Sequence, residues 1–265
     1  MFEIILRKGY SKKALVDGLI FVFALKHVRG YHMDYLIIVP AFNEELSIGD
    51  VIDKIRQHVP FADILVVNDG STDATSLIAK GKKVIVINHP FNLGYGVALQ
   101  TGFRFATMKR YDFVITMDAD GQHVPSSVNK LIETMNEGNA DVVVGSRFLE
   151  GTYRVGIAKR MGIWLFSVIA KIYTGIGVTD PTSGFQLYNR KVFSHLAIAE
   201  NYPFDYPDVN IIMSLHKRQF KIVEAPVMMK ESKSGKSMHS GLKPLLYVIR
   251  MFLAIIMVWV RGSGK

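Results

Sequence analysis

Two carboxylates one residue apart, Asp118 and Asp120, end the apolar run Phe113-Val114-Ile115-Thr116-Met117 and lead into Gly121-Gln122-His123. If that run is a buried strand, its period-two alternation delivers both aspartates to one side of the strand's C-terminal edge. Hard oxygen ligands in that place suit a divalent cation such as Mg²⁺ or Mn²⁺, which keeps open positions for a phosphate-bearing substrate. Asp-Gly at a strand end also makes an ordinary turn, and this stretch alone leaves both readings open.

Elements of a particular kind are needed to hold such a pair. Residues 35–39, 64–67, 83–88, 113–117 and 141–145 read as short strands, and 47–58, 72–79, 96–109 and 125–135 as the helices between them. That alternation is the mark of β-α-β units and a largely parallel sheet. Beyond Arg147 the pattern loosens into a helix at 158–173, strands at 186–188 and 221–224, and a helix at 209–218. The first two loops, Pro40-Ala41-Phe42-Asn43-Glu44-Glu45 and Asn68-Asp69-Gly70-Ser71-Thr72-Asp73, follow strand ends as the Asp118 stretch does. Ligands of open α/β sheets bind outside those carboxyl ends, so three loops are expected on one rim. Gly94-Tyr95-Gly96 invites comparison with a dinucleotide fingerprint, but Leu99 stands where the third glycine belongs.

With 265 residues, 49% hydrophobic and 21% charged, the chain can bury a full core, and it has no internal repeat or low-complexity linker. It has no cysteine, so any metal must be held by oxygen or nitrogen. A net charge of +9 favours a polyanionic partner. The basic residues gather at Lys8, Lys12, Lys13, Lys26 and Arg29, and at Lys230, Lys233, Lys236, Lys243, Arg250, Arg261 and Lys265, beside apolar segments. That placement suits a membrane surface, and no nucleic-acid module or aromatic-basic interleaving is present, so nucleic acid is not expected as a partner. From Leu242 to Val260 the longest uninterrupted apolar run is Met251 to Val260, ten residues, short of the roughly 20 that cross a bilayer. Lys243 and Arg250 share a helical face, which suits a helix lying in the membrane interface; a core helix or a homo-oligomer contact is the other use of such a segment. Three regions result: a peripheral N-terminal extension at 1–33, an α/β domain at 34–240 and a membrane-associating segment at 241–265.

Taken together, Val39-Pro40-Ala41-Phe42-Asn43-Glu44-Glu45, Val67-Asn68-Asp69-Gly70-Ser71-Thr72-Asp73, Asp118-Ala119-Asp120 and Asp180-Pro181-Thr182-Ser183-Gly184-Phe185 resemble, in order and spacing, the family 2 glycosyltransferases of the GT-A fold. The resemblance covers about 34–240 and is strongest to the dolichyl- or polyprenyl-phosphate mannose and glucose synthase branch. It implies a Rossmann-like, mostly parallel sheet with flanking helices, followed by the C-terminal amphipathic interface helix. It also implies a donor site at Pro40, Phe42, Glu44, Asp69 and Asp118 for a UDP- or GDP-sugar, and a Mg²⁺ or Mn²⁺ site at Asp118, Asp120 and Gln122. The resemblance also implies that Asn92-Leu93-Gly94, followed by a helix, is a structural turn near the donor site, and the family pattern assigns nothing to His123, which reads as a solvent-facing residue after a turn. Arg147 and Arg160 resemble positions that bind an acceptor phosphate, a task for guanidinium forks, with a surface salt bridge as the plainer use of either.

The chain departs from this branch at two places. Ser232 stands where the relatives carry an arginine ahead of a Gly-x-Ser loop, so Lys230, Lys233 or Lys236 is left to meet the donor diphosphate, and Lys236 is placed in the donor set. Phe204-Asp205-Tyr206-Pro207-Asp208 falls where hydroxyl-acceptor relatives carry a general base, and Asp208 serves either as that base or as the cap of the next helix. The expected activity is inverting, metal-dependent transfer of a hexose to a polyprenyl phosphate at the cytoplasmic membrane face, by a peripheral or monotopic protein with Asp118 and Asp120 as catalytic carboxylates. The alternative is transfer to a glycan hydroxyl in cell-surface polysaccharide synthesis, with Asp208 as base.

Overall fold

A computed structural model of the protein describes residues 33–149, 157–202 and 209–230. Seven strands form one sheet: β1 (Tyr35–Ala41), β2 (Ala62–Asn68), β3 (Ile85–Asn88), β4 (Phe113–Thr116), β5 (Val142–Ser146), β6 (Gln186–Asn189) and β7 (Ile222–Pro226). Their order across the sheet is β3-β2-β1-β4-β6-β5-β7. β1 pairs in parallel with β2 and β4, β2 with β3, and β5 with β7. β6 runs antiparallel to both of its neighbours, β4 and β5. The sheet is therefore mostly parallel, as expected, with one reversed strand that puts its own N-terminal end on the rim where β4 and β5 finish.

Helices α1 (Ile48–His58), α2 (Thr75–Gly81) and α4 (Val128–Gly138) cover one face of the sheet; α3 (Tyr95–Lys109), α6 (Arg190–Leu196) and α7 (Val209–Lys217) cover the other. Alternation along β1 explains the two layers. Ile37 and Val39 pack with Ile48, Ile52 and Leu131, whereas Leu36 and Ile38 pack with Ala98, Phe103 and Phe193. Strands buried on both faces read as unbroken apolar runs, which is why Leu36-Ile37-Ile38-Val39 carries no polar residue. Each such side chain contributes about 1.5–3 kcal/mol by leaving water.

The last long helix, α5 (Ile157–Thr174), is apolar on two sides. Phe166 and Ala170 pack inward on Val209 and Met213. Met161, Trp164, Leu165 and Ile172, spaced along the opposite stripe, are exposed, and so are Arg160 and Lys171 beside them. Among the described residues no helix is long and apolar enough to cross a membrane. The expected interface helix at 241–265 and the extension at 1–32 lie outside the described residues.

Candidate active site

β4 delivers Asp118 to the rim two residues past its end, and the backbone then turns at Gly121, whose φ is +77°. The Asp118 carboxylate is held from several directions. Tyr95 donates its hydroxyl to Oδ1 at 2.9 Å. His123 faces Oδ2 through Nε2 at 3.6 Å. Because the Asp118 backbone N–H donates to His123 Nδ1 at 3.0 Å, that nitrogen carries no proton, and the neutral ring bears its proton on Nε2, toward the carboxylate. His123 is therefore not the solvent-facing residue expected from its place after a turn. It is 4% exposed and stacks on Phe185, ring centroids 5.0 Å apart. Gly184 closes the remaining side: a Cβ there would lie 2.8 Å from the Tyr95 hydroxyl and 3.0 and 3.1 Å from the two Asp118 oxygens.

Asp120 accepts the backbone N–H of Gln122 at 2.9 Å, and the Gln122 carbonyl accepts the N–H of Lys230 at 2.8 Å. Glu44 stands close enough to join this field. Burial raises its carboxyl above the ordinary value, a hydrogen bond from Ser47 opposes the rise, and Asp120, Asp118 and Asp73 add to it. Among the described residues no three His, Cys, Asp or Glu side chains gather to enclose a metal ion by themselves. Two carboxylates at an open rim still fit a Mg²⁺ or Mn²⁺ ion, which takes one or two protein carboxylates and fills its other positions with phosphate oxygens and water.

The donor corner expected at Pro40, Phe42, Glu44 and Asp69 is assembled by β1 and β2. Pro40 is buried in β1, Phe42 is exposed just beyond it, and the Asp69 N–H is tied to the Ala41 carbonyl at 2.8 Å. Asn43, in the left-handed region, accepts the Thr72 N–H on its side chain and so locks the first loop to the second. The Asp69 carboxylate, 3% exposed, does more than form its own turn: Oδ1 meets His89 Nδ1 at 2.7 Å and the Leu93 N–H at 2.9 Å, and Oδ2 takes the Gly94 N–H at 2.8 Å. Those residues lie 20, 24 and 25 positions away, and the last two lead directly into α3. His89 reaches on to Thr101 on α3, 2.9 Å from its Nε2. The turn reading of Asn92-Leu93-Gly94 thus holds, with Asp69 as its anchor.

On the other side of Asp118, Arg147 follows β5 and is buried. Its Nε and one Nη donate to the two oxygens of Asp180, the second at 3.0 Å, and Asp180 is 0% exposed. The plainer alternative of a surface salt bridge is replaced by a buried bidentate one, in which Asp180 orients the guanidinium. Glu224 on β7 completes the cluster, accepting the N–H groups of Thr179 and Asp180 at 2.8 and 2.9 Å. Arg160 is exposed in the first turn of α5. Asp208 and Lys236 lie outside the described residues, and Lys230 is exposed at the edge of the described part.

The profile of the family described as Glycosyl transferase family 2 matches residues 36–197, from β1 through the end of α6. The chain belongs to glycosyl transferase family 2. Within it, the chain is 32% identical to the undecaprenyl-phosphate mannosyltransferase of Micrococcus luteus, over 79% of this chain and 88% of that one. It is 37% identical to an uncharacterized protein of Methanocaldococcus jannaschii, over 59% of this chain and 65% of the relative, just under two thirds of its length. The fold is shared with glucosyl-3-phosphoglycerate synthase of Mycobacterium tuberculosis, solved in complex with Mn²⁺, uridine diphosphate and phosphoglyceric acid. That likeness has a TM-score of 0.67 at 17% identity and covers 91% of this chain and 81% of that one.

Three residues that contact the rim aspartates were not legible as such in the sequence. Tyr95, His89 and His123 sit 23, 20 and 5 positions from the aspartates they serve.

Proposed function

We propose that this family 2 enzyme transfers a hexose from a nucleotide diphosphate sugar to a polyprenyl phosphate, with inversion and with a divalent cation, at the cytoplasmic face of a membrane. The observation that carries the reading is the Asp118 carboxylate, fixed between Tyr95, His123 and Gly184 beside Asp120, on the rim where a donor diphosphate would lie. Asp118 and Asp120, with Gln122 beside them, would hold Mg²⁺ or Mn²⁺, which when bound neutralises charge on the departing nucleoside diphosphate. Pro40, Phe42, Glu44 and Asp69 line the nucleoside end. Arg147, oriented by Asp180, and Arg160 would receive the acceptor phosphate, and Lys236 would serve the diphosphate. The acceptor oxygen attacks the anomeric carbon on the face opposite the diphosphate, and the bond from that carbon to the phosphate oxygen breaks. A phosphate monoester is already ionised near neutral pH, so no proton has to be removed.

Two features support a lipid acceptor: the likeness to an undecaprenyl-phosphate mannosyltransferase, and the exposed stripe Met161, Trp164, Leu165 and Ile172 with Arg160 and Lys171 alongside. Aromatic and basic side chains beside an apolar stripe suit a membrane interface. The test is an assay of solubilised protein with radiolabelled UDP- and GDP-hexoses, Mn²⁺ and a polyprenyl phosphate. Label should pass into the organic phase, require the cation and disappear in Asp120→Ala. A product that stays water-soluble and needs a glycan primer would overturn the lipid acceptor.

A further inference from the structure

Residues 93–95 form a short bridge between two corners of the rim. The Asp69 carboxylate at the end of β2 takes the N–H groups of Leu93 and Gly94, at 2.9 and 2.8 Å. The next residue, Tyr95, reaches the Asp118 carboxylate past the end of β4, at 2.9 Å. β1 lies between those two strands, so the bridge joins sites that the sheet itself keeps apart. Its geometry is tightly set. Gly94 precedes α3 with φ +102°, which a side chain would strain, and Tyr95 is the first residue of the helix. On the near side of the bridge, a Cβ on Gly70 would come within 2.3 Å of the Phe91 carbonyl carbon.

We infer that Tyr95 is a positioning residue for the cation-binding carboxylate, and that Asp69 sets Tyr95 through the Leu93 and Gly94 amides, so that the nucleoside corner and the diphosphate corner are adjusted together. The inference rests on the function proposed above. An aspartate on a rim has several side-chain orientations open to it. A phenol on Oδ1, an imidazole facing Oδ2 and Gly184 packed against both oxygens leave Asp118 few of them. Partners of this kind, which hold a ligand rather than the metal, typically change metal affinity about 10- to 100-fold when removed.

The test uses the full chain and follows its melting temperature as Mn²⁺ is added, first alone and then with UDP or GDP. Tyr95→Phe should raise the Mn²⁺ midpoint by about tenfold while moving the metal-free melting temperature little. Asp69→Asn, measured with Mn²⁺ alone so that no nucleoside is present, should shift the midpoint in the same direction. An unchanged midpoint in Tyr95→Phe overturns the positioning role, even if the variant melts earlier. An Asp69→Asn protein that answers Mn²⁺ as the unmodified protein does overturns the link between the corners. If the unmodified protein does not respond to Mn²⁺ with or without nucleotide, the metal-dependent function fails first and the inference with it. A response kept in the unmodified protein and equally in Tyr95→Phe refutes the inference alone.

Discussion

Gly184 leaves no room for a methyl group between the Tyr95 hydroxyl and the Asp118 carboxylate. Gly184→Ala should therefore displace the carboxylate and lower kcat at least tenfold, at a stability cost of about 1–3 kcal/mol. Activity near the unmodified level, with the same melting temperature, would show that the turn yields without disturbing Asp118. Glu44 gives a pH test. Its raised carboxyl means that the folded state holds the proton more tightly than the unfolded chain does. The stability this contributes is present below the ordinary carboxylate range and is lost as pH rises through the raised value. Glu44→Gln, which cannot ionise, should melt higher than the unmodified protein near neutral pH without divalent cation, and the gap should close in acid. A lower melting point at neutral pH would count against it. Asp118 and Asp120 were legible as the polar end of an apolar run, although β4 stops at Thr116 and the turn, not strand alternation, sets where they stand. His123 was misread because the backbone turn that folds it under the strand leaves no mark on residue type.

The Arg147 and Asp180 pair ties the end of β5 to the turn that carries Gly184. Breaking a buried pair leaves an uncompensated charge, so Asp180→Ala should cost about 3–5 kcal/mol in urea unfolding, and Arg147→Met with Asp180→Leu should recover most of that. A loss below about 1 kcal/mol for the single variant would mean that the guanidinium readily finds another partner or water. Among the described residues, the seven strands and six of the seven α-helices follow from apolar runs and helical spacing in the sequence. The helix α6 does not: its seven residues begin where β6 ends, and its one sequence mark is the cap, where the Asn189 side chain accepts the Val192 N–H at 3.1 Å. The direction of β6 was equally hidden, because alternation along a strand is the same read either way. Helix α4 begins later than expected, since Pro125 opens a 3-10 turn, Pro125–Ser127, before it.

The whole molecule carries a charge of +9 and an exposed apolar stripe on α5. Both should appear in flotation with lipid vesicles. The protein should rise with vesicles rich in anionic lipid and lose much of that binding at about 0.5 M salt, where charges are screened over a few ångströms. Trp164→Ser with Leu165→Ser should weaken what salt does not. Binding indifferent to both lipid charge and these substitutions would place the membrane contact elsewhere. The reversed strand has a consequence of another kind. The Thr116 hydroxyl on β4 meets the Gly184 carbonyl 68 positions later in the chain, and β4 lies beside β6 only after β5 and α5 have been made. Pairings of such long reach are slow to form, because the loop must close before any contact repays it. As the chain leaves the ribosome, Asp118 therefore exists before its Gly184 wall, and β1 to β4 can assemble with the carboxylate rim still open. The rim that carries Asp118 is thus among the last parts of the sheet to be completed.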